Sequence, residues 1–198
     1  MNKTTHLMIG KLLCEQVKQQ FGIILHEKSF LFGNILPDIG VKFLIRPHFF
    51  NNHRKQLKKR LHNLLQDTQT SVYFGRRYSK NLGIICHYYA DFFCYPHQDS
   101  YRGDLADHVL YERALLNYLL ASRIDIPCCG SVRAFSGDIS ADGVFDRLLS
   151  FQASYALIEP SFQNDMSHAL RVCLDALVLI TGTVLVEQED AIELCTPA

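Results

Sequence analysis

The sequence lacks net charge and any long apolar run, and each absence excludes a class of protein. Its 20 basic and 20 acidic side chains cancel over 198 residues. Proteins that grip the nucleic acid backbone carry a basic excess, so we expect no stable nucleic acid partner. The longest apolar run, residues 176–186, is too short to cross a bilayer, so we expect no transmembrane segment.

Signals for export are also missing from the sequence. The first apolar stretch meets Cys14 and Glu15 too soon to form the core of a signal peptide. The 7 cysteines are odd in number and show no disulfide spacing. We therefore expect a cytoplasmic protein whose cysteines are mostly small buried side chains.

The pattern of apolar residues predicts an all-α protein, a multi-helix bundle that forms one domain over residues 1–198. Apolar positions recur at helical spacing, and strand-type alternation with hairpin turns is hard to find. Residues 79–95 are apolar nearly all round, which is typical of a central, fully packed helix. Other helices are predicted to begin near Thr4 or Thr5 and near Asn51 or Asn52, and to cover residues 29–36, 105–122 and, as two C-terminal helices, 143–187.

Histidines pair with carboxylates at helical spacing in two places. His87 and Asp91 lie four residues apart, and so do His108 and Glu112, so each pair projects from one helix face. His97 follows ten residues after His87. Imidazole and carboxylate are the ligands of a zinc ion that keeps an exchangeable water, whereas thiolates dominate closed structural sites.

Asp91 is more informative than the spacing, because about one His–acid pair of this kind is expected by chance. It lies in an otherwise apolar segment, where a carboxylate is costly to bury unless it is paired or binds a metal. The alternative to a metal site is a buried, hydrogen-bonded His87–Asp91 pair with a purely structural role.

The order of these residues resembles the zinc-dependent phospholipase C family. The motifs that carry the resemblance lie within residues 5–118 and are, in chain order, THLMIGKLL, GNILPD, PHFF, HYYADFFCYPH and HVLYE. The resemblance implies a helical fold whose metal ligands come from several helices. Single-strand-specific zinc nucleases share that fold and metal pattern, so the motifs do not choose between lipid and nucleic acid substrates.

The resemblance also implies that eight side chains hold two or three zinc ions, or other divalent metals. The implied ligands are Asp38, His48, His87 and Asp91 for the first ion, His97, His108 and Glu112 for the second, and His6 and Asp91 for the third. Asp91 would bridge two of the metals. Asp38 is the candidate for orienting or deprotonating the attacking water.

The sequence departs from the secreted members of that family at its N-terminus. Those enzymes use the α-amino group and carbonyl of an N-terminal tryptophan as metal ligands. This chain contains no tryptophan, and His6 lies too close to Met1 for an equivalent arm to be expected. A two-metal site is therefore the alternative to three ions.

One ligand has a competitor among the remaining histidines. His53 could replace His48, since both follow Asp38 at a workable distance. We favour His48, because it follows a proline in a predicted loop, whereas His53 is expected in the first turn of a surface helix. His168 and the nearby Asp165 are interpreted as structural.

The sequence thus predicts a metal-dependent phosphodiester hydrolase of the phospholipase C type, acting on a phospholipid or a small phosphodiester. Aromatic side chains near the motifs are candidates for lining a pocket for an apolar or choline-like group, with ordinary core packing as the alternative: Phe49, Phe50, Tyr88, Tyr89, Phe92 and Tyr95. Two other functions stay open, a single-strand nuclease with the same site and a non-catalytic metal-binding or interaction protein.

Overall fold

The computed structural model describes residues 1–39, 50–67, 72–122 and 140–193. In these residues the chain is almost entirely helical, with only two strands of two residues each, which confirms the predicted all-α bundle. The elements in chain order are α1 (Lys3–Phe21), β1 (Ile24–Leu25), α2 (Glu27–Ile35), a 3-10 helix (Leu36–Asp38), α3 (Phe50–Leu65), β2 (Tyr73–Phe74), α4 (Arg76–Asp91), a 3-10 helix (Tyr95–His97), α5 (Leu105–Ala121), α6 (Ala141–Tyr155) and α7 (Phe162–Glu193).

The ends of α1 follow from its capping residues. The side chain of Asn2 accepts a hydrogen bond from the amide of Thr5, so Asn2 is the N-cap. The prediction of Thr4 or Thr5 as the cap is wrong, because both lie in the first turn of the helix. Gly22 ends the helix in the left-handed conformation, with φ of 68°.

Two other helix boundaries also differ from the prediction. α3 begins at Phe50, ahead of the two asparagines expected to cap it. α4 ends at Asp91 rather than near residue 95, and the chain continues into the separate 3-10 helix. The break between the two helices lies at Cys94, which is extended, with φ of −109° and ψ of 122°, and Pro96 then occupies the first turn of the 3-10 helix, where proline is tolerated.

α4 is the central helix, and the backbones of α2 and α4 are in close contact. Every residue of α4 from Leu82 to Asp91 is buried. A Cβ atom added at Gly33 of α2 would lie 2.2 Å from the carbonyl oxygen of Lys80, and one added at Gly83 of α4 would lie 2.2 Å from that of Phe30. Only glycine permits this approach, which brings the C-terminal half of α2 beside α4.

α7 covers another side of α4. The Cys173 thiol of α7 donates to the carbonyl of Cys86 in α4, with 3.3 Å between sulfur and oxygen. The two short strands form a parallel pair, with Ile24 opposite Tyr73, and hold the start of α2 next to the start of α4. Within the described ranges, no helix combines the length and the apolar character that a membrane span requires.

Candidate metal centre

The first group of side chains that could hold a metal ion lies at the C-terminal end of α4. His6 of α1 joins His87 and Asp91 of α4, and each offers a ligand atom within 4.8 Å of the others. Asp91 Oδ1 lies 3.1 Å from His6 Nε2, and Asp91 Oδ2 lies 3.4 Å from His87 Nε2. All three residues are fully buried, so this group lies inside the protein core.

α2 determines how His87 presents its ring. Nδ1 of His87 lies 2.8 Å from the main-chain carbonyl oxygen of Asn34, which can only accept a hydrogen bond. The neutral ring therefore carries its hydrogen on Nδ1, and the lone pair of Nε2 points toward Asp91 and toward Asp38 Oδ1, 3.7 Å away. A structural pair needs one carboxylate, whereas two converge here. This arrangement favours metal binding over a hydrogen-bonded pair.

His6 provides the test of whether these residues fit a metal ion. Both of its ring nitrogens are buried, and neither makes a well-aligned hydrogen bond within the described residues: Nε2 lies 3.1 Å from Asp91 Oδ1 without the alignment of a hydrogen bond. Its ring stacks on that of His87 with centroids 4.1 Å apart. Buried polar atoms are rarely left unpaired. A divalent ion next to Asp91 would supply a partner for the ring, so the donor set fits zinc.

The second group lies where the 3-10 helix after α4 meets α5. Glu112 Oε1 lies 2.9 Å from His108 Nε2 and 3.4 Å from His97 Nε2. The side chains of His108 and Glu112 are 27% and 15% exposed, so this group reaches solvent. Asp104 begins α5 with a capping box, which defines the helix start one turn before His108.

The α-amino group of Met1 lies between the two groups. Its nitrogen is 2.6 Å from Asp91 Oδ1, 2.9 Å from Glu112 Oε1 and 3.1 Å from His97 Nε2. The expectation that His6 is too close to Met1 for such an arm is wrong. Because α1 starts after Met1, the first residue extends toward His97, while His6 approaches Asp91 from inside the helix. A cationic nitrogen thus stands where the two groups meet.

Neighbouring charges hold the ligands in the protonation states that bind metal. Burial raises the pKa of Asp91, but the Met1 amino group and the surrounding histidines outweigh burial and hold that pKa well below its ordinary value. The pKa of Glu112 is lowered against burial by the same amino group and by its histidine neighbours. Burial and the amino group lower the pKa of His97 to about 4. At neutral pH both acids are ionised and His97 is neutral.

The structure brings together most of the ligands predicted from sequence. Six of them form the two groups, and Asp38 lies beside the first group. His48 lies outside the described residues. His53, its competitor, was expected on a surface helix, but its side chain is 3% exposed and its ring lies 4.5 Å from that of Tyr88. Its position in the first turn of α3 faces α4 rather than water.

The aromatic side chains predicted near the site have mostly a packing role. Tyr88, Tyr89 and Phe92 are at most 3% exposed and belong to the hydrophobic core. Tyr95 is half-buried and packs its ring against that of Tyr111, with centroids 5.9 Å apart. The side chains of the predicted pair at positions 49 and 50 lie outside the described part of the chain.

The comparison with known families agrees with this centre. The model of the zinc dependent phospholipase C family matches residues 5–161, a span that contains all eight predicted ligands. The chain belongs to this family. The resemblance inferred from the motifs is thereby confirmed, and the match extends beyond them through α6. The family is one of metal-dependent phosphodiesterases. Searches of curated proteins and of solved structures found no match.

Two polar groups of the centre were missed by the reasoning from sequence. They are the α-amino group of Met1 and the carbonyl of Asn34. Both are main-chain groups, and a pattern of side-chain types and spacings does not reveal the position of main-chain groups. Asn34 does lie inside the GNILPD motif, next to the glycine that lets α2 approach α4.

Proposed function

We propose that the protein is a zinc-dependent phosphodiester hydrolase of the phospholipase C type, which cleaves a phospholipid or a related small phosphodiester. The position of Asp91 carries the proposal. Its carboxylate faces His6 and His87 on one side, and its Oδ1 lies 3.9 Å from His97 Nε2 on the other. Ions held by the two groups would be close enough to act on one phosphate.

The side chains divide into ligands and a base. His6, His87 and Asp91 would hold one ion, and the group of His97, His108 and Glu112 would hold another. When bound, zinc supplies Lewis acidity that polarises phosphoryl oxygens and lowers the pKa of water. By holding an ion on either side, the two groups would determine where a substrate phosphate lies between them.

Asp38 is suited to accept the proton of the attacking water. Its carboxylate lies 3.7 Å from His87 Nε2, and 18% of its side chain is exposed. The three side chains of the first group are sealed from solvent. Asp38 therefore reaches both the centre and bulk water, which a general base must do to take up a proton and release it.

A cleft beside His97 offers room for part of a substrate. Its volume is about 280 Å³, and it is lined by Phe92, His97, Gln98, Asp99, Gln152, Ala153 and Ala156. The polar lining suits a small head group better than an acyl chain. The balanced charge of the sequence provides no excess of basic residues for a nucleic acid strand, which favours a phospholipid over single-stranded DNA.

Substrate comparison with zinc-loaded protein tests this proposal. We expect hydrolysis of an aryl phosphodiester and of a phospholipid in mixed micelles, abolished by a chelator and restored by zinc. Asp38→Asn should lower turnover strongly. Asp142→Asn is the matched control and should not, because Asp142 is 72% exposed and pairs with Lys58 on the surface.

Two outcomes of that comparison would contradict the proposal. Degradation of single-stranded DNA far faster than any phospholipid would assign the protein as a nuclease. If fully metal-loaded protein turned over none of these substrates, the site would be a non-catalytic metal-binding one.

A further inference from the structure

Asp165 of α7 is a buried carboxylate that is distant in sequence from every ligand. It lies beyond the residues matched by the family and is fully buried. Its Oδ1 accepts a hydrogen bond from the Tyr155 hydroxyl at 2.6 Å. Its Oδ2 accepts one from the Tyr111 hydroxyl and one from the Tyr95 amide, both at 2.9 Å. These three donors come from three different elements.

Two of the three donors lie next to metal-binding residues. Tyr95 begins the 3-10 helix that ends at His97, and Tyr111 immediately precedes Glu112 in α5. The ring of Pro96 fixes its φ at about −65°, which limits how far the backbone of His97 can move relative to that of Tyr95. A single oxygen of Asp165 therefore joins the two elements that supply the second group.

The 3-10 helix is a short segment in the connection between α4 and α5. Within it, the amide of His97 donates to the nearby carbonyl of Cys94. Asp165, by contrast, projects from α7, whose buried residues pack along the core. The hydrogen bond from Tyr95 thus ties a short, locally bonded segment to a long helix.

We propose that Asp165 is a positioning residue for the metal ion of the His97–His108–Glu112 group. The inference rests on the proposed metal site and extends it to α7, which supplies none of the predicted ligands. Within the described ranges, Asp165 is hydrogen-bonded to Tyr95, Tyr111 and Tyr155 rather than to a candidate ligand. It holds the main chain at Tyr95 and the side chain next to Glu112. Residues that hydrogen-bond a metal ligand directly change metal affinity by about 10–100-fold, and Asp165, which is one residue further removed, should act at the lower end of that range.

A matched pair of tyrosine variants separates positioning from simple stability. Tyr111→Phe and Tyr155→Phe each delete one hydroxyl that donates to the same carboxylate. Only Tyr111 neighbours a metal ligand. If Asp165 served only to satisfy buried hydroxyls, both variants would lower stability and neither would change metal binding selectively.

The experiment is a competition titration of zinc-loaded protein with a chromophoric chelator, combined with thermal unfolding. We expect Asp165→Asn and Tyr111→Phe to weaken one ion by about tenfold, the same ion that Glu112→Gln removes. Tyr155→Phe should leave every affinity close to that of the parent protein, whatever its effect on the melting temperature. If Asp165→Asn does not fold, the comparison of zinc affinity between Tyr111→Phe and Tyr155→Phe is sufficient to test the inference.

Two results would overturn the inference. In the first, Asp165→Asn and Tyr111→Phe lower the melting temperature and keep every ion at its original affinity. In the second, Tyr155→Phe weakens the ion as much as Tyr111→Phe does. Both leave the proposed function intact. Parent protein that takes up no zinc would instead refute the proposed function, and the inference with it.

Discussion

The two groups of ligands use the same side-chain types but differ in burial and support. The first is built by helices α1 and α4 in the core, with no exposed side chain. The second combines a short 3-10 helix with α5 and reaches solvent at His108 and Glu112. The difference predicts a firmly bound ion in the first group and a more exchangeable ion in the second.

The supports of the two groups differ in the same way. His87 is oriented by a carbonyl of α2, and the glycine contact between α2 and α4 leaves that carbonyl little freedom. His97 depends on a longer chain of contacts, through Tyr95 to α7. We therefore expect the second ion to exchange faster and to be extracted first by a chelator.

Asp91→Asn should have the largest effect, because Asp91 belongs to the first group and also faces the second, with its Oδ1 3.9 Å from His97 Nε2. The change keeps the side-chain volume and removes one negative charge from both groups. The variant should lose more than one equivalent of metal and essentially all phosphodiesterase activity. A purely structural role predicts a different result, a loss of about 1–3 kcal/mol in the free energy of unfolding with metal content unchanged.

Glu112→Gln should have a smaller effect that is confined to the second group. Its carboxylate lies close to His97 and His108 but belongs to no contact of the first group. We expect loss of one equivalent of metal and retention of the rest, measured by metal analysis after dialysis. Equal losses in this variant and in Asp91→Asn would remove the distinction between the groups.

Graded removal of metal should resolve the two groups in the unmodified protein. Increasing chelator should extract the ion of the exposed group first and that of the buried group later. Each ion that binds only the folded state stabilises it, by about 2.7 kcal/mol when free zinc is at 100 times its dissociation constant. The melting temperature should therefore fall in two steps, whereas a single step would show that the groups bind as one unit.

The smallest effect concerns the competing histidines of the first group. We expect His48→Asn to weaken metal binding and His53→Asn to leave the metal content unchanged. His53 packs against Tyr88, so its loss should appear chiefly in the melting temperature. Loss of metal from His53→Asn alone would move the ligand assignment to His53.

Much of the fold, and most of the side chains that the structure brings together in the candidate site, could be predicted from sequence, for identifiable reasons. A carboxylate in the apolar surroundings of Asp91 indicates metal or ion pairing, because burial without a partner is costly. The spacing of His108 and Glu112 places both on one helix face. Both patterns involve residues close together in the sequence, so they can be recognised without knowing how the helices pack.

The parts that escaped prediction depend on packing between distant segments. Asp165 receives hydrogen bonds from residues 10, 54 and 70 positions away, and no local pattern marks it. The Met1 amino group enters the centre because α1 begins beside α5, where the Asn2 side chain donates to the carbonyl of Glu112. The prediction that His53 lies on a surface helix failed because periodicity alone does not show which other helix packs against a given face.

Metal content is the measurement that tests the central claim most directly. Protein purified without a chelator should contain two or three zinc ions per chain by inductively coupled plasma analysis. A content near zero, with no uptake of zinc on reconstitution and no change in melting temperature on adding it, would contradict the account.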